Sequence, residues 1–178
     1  ARLWWMLRWV GHANVAVLDG GLAAWLAAGG TLSTEMPPRP RGSITLQPSL
    51  TAMVTASDVL ANLSTKKHTV LDARAADRFR GENETIDPVA GHIPGAKNRC
   101  FKDNLLNDGK FKAADALRND FSALISSPQS TILQCGSGIS ACHNALAMEI
   151  AGLSGASLYP GSWSEWSSDT SRPVATGA

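Results

Sequence analysis

Apolar positions along the chain switch between two periods. Leu3, Leu7 and Val10 recur at helical spacing with Trp4 near the same stripe, which predicts an amphipathic helix over 2–10. NVAVLDGG (14–21) is an apolar run closed by glycines and reads as a buried strand; LAAWLAAGG (22–30) reads as a short helix stopped by Gly29 and Gly30. Pro37, Pro38, Pro40 and Pro48 then forbid a helix and favour an extended linker over 31–50. Beyond it, TASDVLANL is a helix capped by Thr55 or Ser57, TVLDA (69–73) a buried strand, and AADRFRG a turn or short helix. GHIPGA (91–96) is a loop, and 113–125 is amphipathic, with Leu117, Phe121, Leu124 and Ile125 on one face. TILQ is a strand, 141–151 a helix ended by Gly152, ASLYPG a strand, and SWSEW the start of a last helix.

Short buried strands alternating with helices imply an α/β fold, a parallel sheet flanked by helices. The first 30 residues hold only one candidate strand, too few for a sheet of their own, and read as the tail of an incomplete unit. YPGSWSEW partly echoes VLDGGLAAW, both strand, glycine turn and Trp-bearing helix, which fits a duplicated domain with an incomplete first copy. The organisation expected is therefore a remnant over 1–30, a linker over 31–50 and a complete domain over 51–178.

The chain has 178 residues, 44% of them hydrophobic and 17% charged, ample for a packed core. A net charge of +1 gives no electrostatic case for nucleic acid or an acidic membrane surface. No apolar run approaches the ~20 residues of a membrane span, and Arg2 and Arg8 break the opening stretch where a signal peptide would stay apolar. Cys100, Cys135 and Cys142 are too few and too irregular for a disulfide framework and point to a reducing, cytoplasmic setting.

Ligands in open α/β sheets bind beyond the carboxyl ends of strands, and TILQ runs directly into Cys135. Gly136, Ser137, Gly138, Ile139 and Ser140 follow it, a loop whose glycines permit the backbone to curl its N–H groups inward. The next helix points its N-terminus at the same spot, so orphan amides and the helix dipole favour an anion there. A thiolate at such a position is stabilised. A buried cysteine closing a strand before an ordinary turn uses the same residues. A phosphatase loop needs Arg where Ala141 stands, a phosphate-binding loop needs Lys after its glycines, and Cys135, Cys142 and His143 lack zinc-ligand spacing.

Together CGSGISACH, DARAADRFRG, GHIPGA and YPGSWSEW resemble the catalytic C-terminal domain of the two-domain rhodanese family, over roughly residues 50–170. The Gly-Ser-Gly loop resembles that of the 3-mercaptopyruvate sulfurtransferases; the thiosulfate enzymes tend to carry basic residues there. Residues 1–30 resemble the close of the family's inactive N-terminal domain. The resemblance implies sulfur transfer through a persulfide on Cys135. The donor would be 3-mercaptopyruvate, or thiosulfate as the alternative; the acceptor would be a thiol, thioredoxin or cyanide. No metal or organic cofactor is implied. A third reading is a persulfide carrier that turns over poorly.

By the same resemblance, the amides of Gly136, Gly138, Ile139, Ser140 and Ala141 cradle the persulfide, and Arg78 binds the donor's carboxylate. Ser137 belongs to a Ser-His-Asp relay whose other members lie in the missing half of the N-terminal domain, a further partner. The animal mercaptopyruvate enzymes place a second arginine about where Asp87 stands; Arg99 is the candidate substitute. His92 reads as a structural loop residue, Asp72 as a fixer of local geometry, and Cys100 as packed. Cys142 faces the core, and Trp163 and Trp166 pack the last helix. The apolar N-terminal segment is expected to associate with a partner or be disordered.

Overall fold

A computed structural model describes residues 1–178. Five parallel strands form one sheet in the order β1-β5-β4-β2-β3. They are β1 (Ala52–Met53), β2 (Thr69–Asp72), β3 (Lys97–Asn98), β4 (Thr131–Gln134) and β5 (Ser157–Leu158). The helices are α1 (Arg2–Trp9), α2 (Gly21–Ala27), α3 (Ala56–Thr65), α4 (Ala76–Arg80), α5 (Ala114–Ser122), α6 (Ile139–Ile150) and α7 (Ser162–Ser168). Thr55 caps α3: its hydroxyl accepts from the Asp58 N–H while the Asp58 carboxylate accepts from the Thr55 N–H.

The strand period of two sorts residues between the sheet's faces. Leu71, Ala73, Leu133 and Cys135 share one core with residues of α1, α5 and α6. Val70 and Ile132 lie in the other core, with Val59 of α3, Tyr159, and Trp163 and Trp166 of α7. Trp163 and Trp166 are fully buried, their indole N–H groups donating to the carbonyls of Val89 and Pro173, each at 2.9 Å.

The N-terminal residues depart from expectation. Residues 12–18 form no strand, and Val17 and Leu18 are exposed. Val15, Ala16 and Val17 instead border a cavity with Phe111 and with Leu146 and Ile150 of α6, and the segment pairs with no strand. Helix α1 is ordered rather than loose. Trp4 and Trp5 are buried in the core beside α6, and Arg8 donates to Glu149 at 3.2 Å. The linker returns to it: the N–H of Gln47 donates to the Val10 carbonyl and that of Leu50 to Arg8. Leu3, Met6, Trp9 and Trp25 remain exposed. The edge strands β1 and β3 were not expected, because neither buries a residue and so neither carries a core-facing pattern.

Candidate active site

Chain order and sheet order diverge at β2. The chain steps from β2 outward to β3, then returns to place β4 on the opposite side. Such a reversal opens a crevice at the carboxyl ends of the two strands. Asp72 is in register with Gln134, and the N–H of Ala73 donates to the Gln134 carbonyl at 2.9 Å. The loops leaving β2 and β4 therefore start side by side, one toward α4 and one beginning with Cys135.

Cys135 is 1% exposed, at the base of a cavity of ≈ 330 Å³. Its backbone is fastened from α7: the Ser162 hydroxyl accepts the Cys135 N–H at 3.0 Å, and the Trp163 and Ser164 N–H groups donate to the carbonyls of Cys135 and Gly136. Ser162 holds φ at +55° to do so. Gly138 caps α6 at φ +78°, and a side chain there would come within 2.6 Å of the Pro160 carbonyl oxygen. Helix α6 begins at Ile139, two residues earlier than its apolar pattern suggests.

The N–H groups of residues 136–141 donate to no other group of the protein, and α6 has no side-chain cap. Six partnerless amides beside one helix N-terminus form a concentrated positive end. Gly136, Ser137, Ile139 and Ser140 line the cavity with Cys135; the methyl of Ala141 is buried in the core, so only its amide is available to the loop. The Ser137 side chain is exposed and makes no hydrogen bond within the chain.

Arg78 lines the same cavity from α4. Its Nε and Nη2 donate to Glu84, Nη2 at 2.7 Å, and Nη2 also reaches Asp87 at 3.2 Å. Nη1 faces the loop, 3.8 Å from where a Cβ on Gly136 would lie. Burial works against the charge on Glu84, but hydrogen bonds from Arg78 and from the Ile86 and Asp87 N–H groups outweigh it and hold its carboxyl below the usual range. Asp87 accepts from the Ser164 hydroxyl at 2.6 Å, joining α7 to this network.

Arg74, not anticipated, is 3% exposed and also lines the cavity. It is bidentate to Asp72, reaches Glu84 at 3.4 Å and donates to the Gly91 carbonyl at 2.7 Å, and its guanidinium lies over Trp163. The signal was its place two residues beyond β2, on a loop bound to reach the crevice. Lys102 and Phe101, on the turn after β3, also line the cavity, and missing β3 hid them.

Arg99 is not a substitute for a second site arginine. It is held by Asp120 at 2.9 Å and by Asn104, with its guanidinium over Phe121, away from the cavity lining. His92 is buried, stacked on Phe79 and bonded through Nδ1 to the Phe79 carbonyl at 2.8 Å. The Cys142 thiol donates to the Gly138 carbonyl, and burial pushes its pKa up to about 11. His143 packs against Phe111 and faces Asn104, and burial takes its pKa down to about 4.

A family model for the rhodanese-like domain matches residues 55–169. The chain belongs to the rhodanese-like domain family. It is 49% identical over 181 residues to a Pseudomonas aeruginosa protein named "Probable 3-mercaptopyruvate sulfurtransferase". It is 40% identical over 172 residues to the thiosulfate sulfurtransferase of Mus musculus. These alignments cover 99% and 93% of this chain but 63% and 57% of the relatives, so the chain spans less than two thirds of their length. Among solved structures, 3-mercaptopyruvate sulfurtransferase from Leishmania major superposes with a TM-score of 0.78 at 31% identity, over 97% of this chain and 49% of that one. The parallel α/β sheet is thus that of rhodanese-like relatives. No helix is long and apolar enough to cross a membrane.

Proposed function

We propose that the chain carries the persulfide-forming centre of a sulfurtransferase, with Cys135 as the sulfur carrier and 3-mercaptopyruvate as donor. The single observation that supports it most is the set of partnerless N–H groups at 136–141 directly following a buried cysteine. The Cys135 thiolate attacks the donor's sulfur. An S–S bond forms, the donor's C–S bond breaks, and its electron pair leaves with carbon as the enolate of pyruvate, which takes a proton. An acceptor thiolate then attacks the outer sulfur, the S–S bond breaks, and Cys135 recovers its thiolate while the acceptor leaves as a persulfide. Cyanide in that role yields thiocyanate; thioredoxin or a small thiol yields its own persulfide.

In this reading, the amides of Gly136, Ser137, Gly138, Ile139, Ser140 and Ala141 stabilise charge on the outer sulfur, and Nη1 of Arg78 faces the donor. The Ser137 hydroxyl is free to hydrogen-bond the donor's carbonyl. The loop carries no cation, which suits a monoanionic carboxylate better than the thiosulfate dianion. Relatives bear both donors' names, so thiosulfate, with sulfite as leaving group, is the second reading. We propose with it that residues 1–30 are the remnant of a second rhodanese-like unit, joined through 31–50 to the catalytic unit 51–178. A reducing, cytoplasmic setting would keep Cys135 a thiol.

The test is intact mass after exposure to 3-mercaptopyruvate, beside Cys135→Ser, with pyruvate followed in parallel. One added sulfur on the wild type alone, with stoichiometric pyruvate, is expected. No added sulfur from either donor would refute the reading.

A further inference from the structure

The charged lining over Cys135 is dominated by ion pairs that are already closed. Arg74 is committed to Asp72 and Glu84, and Arg78 to Glu84 and Asp87. Three carboxylates thus hold two guanidiniums, and the network carries excess negative charge. That network by itself offers an anionic donor no net positive charge beyond the amides of 136–141. Arg78 adds no two-pronged grip, because its Nε and Nη2 are spent on carboxylates and only Nη1 remains.

One cation of the lining is uncommitted. Lys102 lines the same cavity from the turn Phe101–Asn104, is exposed, and forms no ion pair. An ammonium on a four-carbon stem offers three donors and adjusts to the ligand. With no carboxylate to give up, it accepts an incoming anion without breaking a contact.

We propose that Lys102 is the donor-anion anchor of the site. Its ammonium receives the carboxylate of 3-mercaptopyruvate, or the charged oxygens of thiosulfate, in a lining whose arginines already hold carboxylate partners. This inference rests on the sulfurtransferase reading.

The experiment follows single-turnover sulfur loading of Cys135 by intact mass against donor concentration, with 3-mercaptopyruvate and with thiosulfate. It compares wild type, Lys102→Gln, Lys102→Glu and Lys102→Arg at low and high salt. Lys102→Gln is expected to raise the half-saturating donor concentration about fivefold, the size of one exposed charge contact. Lys102→Glu should raise it further, and Lys102→Arg should stay near wild type. The maximal loading rate should hold within about twofold, and the wild type's weakening by salt should vanish in Lys102→Gln. An unchanged half-saturation in the Gln and Glu variants, beside a wild type that loads, overturns the role of Lys102. So does a change confined to the maximal rate. A wild type that loads from neither donor overturns the sulfurtransferase reading itself, and the anchor with it.

Discussion

Arg78, in the lining of the Cys135 cavity, and Glu84 hold one another, Nη2 to Oε1 at 2.7 Å, with the Glu84 side chain only 3% exposed. The same carboxylate reaches Arg74 and accepts the N–H groups of Ile86 and Asp87. Glu84 thus fixes both arginines and the loop between α4 and Gly91. Glu84→Ala removes a buried carboxylate that both arginines share, while Asp72 still holds Arg74 and Asp87 still holds Arg78, and should cost about 2 kcal/mol, read from urea unfolding. Because its carboxyl is held below the ordinary 4.5, its contribution is present above that value and fades as pH falls through the folded value.

Cys142 should be silent beside Cys135. Its thiol is buried and donates to Gly138, and its pKa of about 11 keeps it protonated at neutral pH. Cys142→Ala is expected to retain sulfur loading at the wild-type stoichiometry, whereas Cys135→Ser loses it. Intact mass after donor treatment distinguishes them.

Gly138→Ala attacks the loop through its backbone. The residue must hold φ +78°, and the new methyl would overlap the Pro160 carbonyl. Left-handed backbone and local overpacking together should cost about 3 kcal/mol, with the amide cradle displaced. Thermal unfolding and loading rate should both fall, while the neighbouring Gly136→Ala, with nothing nearer than 3.8 Å, should fold as wild type.

His143 should stay neutral until about pH 4. The unfolded chain takes that proton near the ordinary 6.5, so the unfolded state binds more protons between those values and stability rises with pH across that window. Acidification from pH 6.5 should destabilise the protein, and His143→Gln should flatten that slope. Denaturant midpoints at several pH values check it.

Trp4→Ala or Trp5→Ala should cost about 3 kcal/mol, since each ring is buried in the core shared with α6. A single cooperative transition that moves as a whole is expected. A separate early transition of the N-terminal residues would show that α1 lies outside the cooperative unit.

Much of this protein was legible in one dimension because local physics decided it. The apolar runs of β2 and β4, the 3.6-residue stripe of α5, the hydroxyl cap of α3 and the glycines after Cys135 each act within a few residues. They specify a parallel α/β sheet and a cysteine at a strand's end. The edge strands bury no residue and so carry no such pattern, and pairing with β5 and β2 alone makes β1 and β3 exist. With β3 unseen, the turn bearing Lys102 could not be assigned to the crevice. NVAVLDGG has strand chemistry but no neighbour to pair with, so it stays irregular. Only tertiary structure decided that Arg78 is shared between Glu84 and Asp87, that Arg99 belongs to Asp120, and that Ser162 fastens Cys135. Charge partners and backbone clamps depend on which loops the sheet order brings together, and that order is a property of the whole chain.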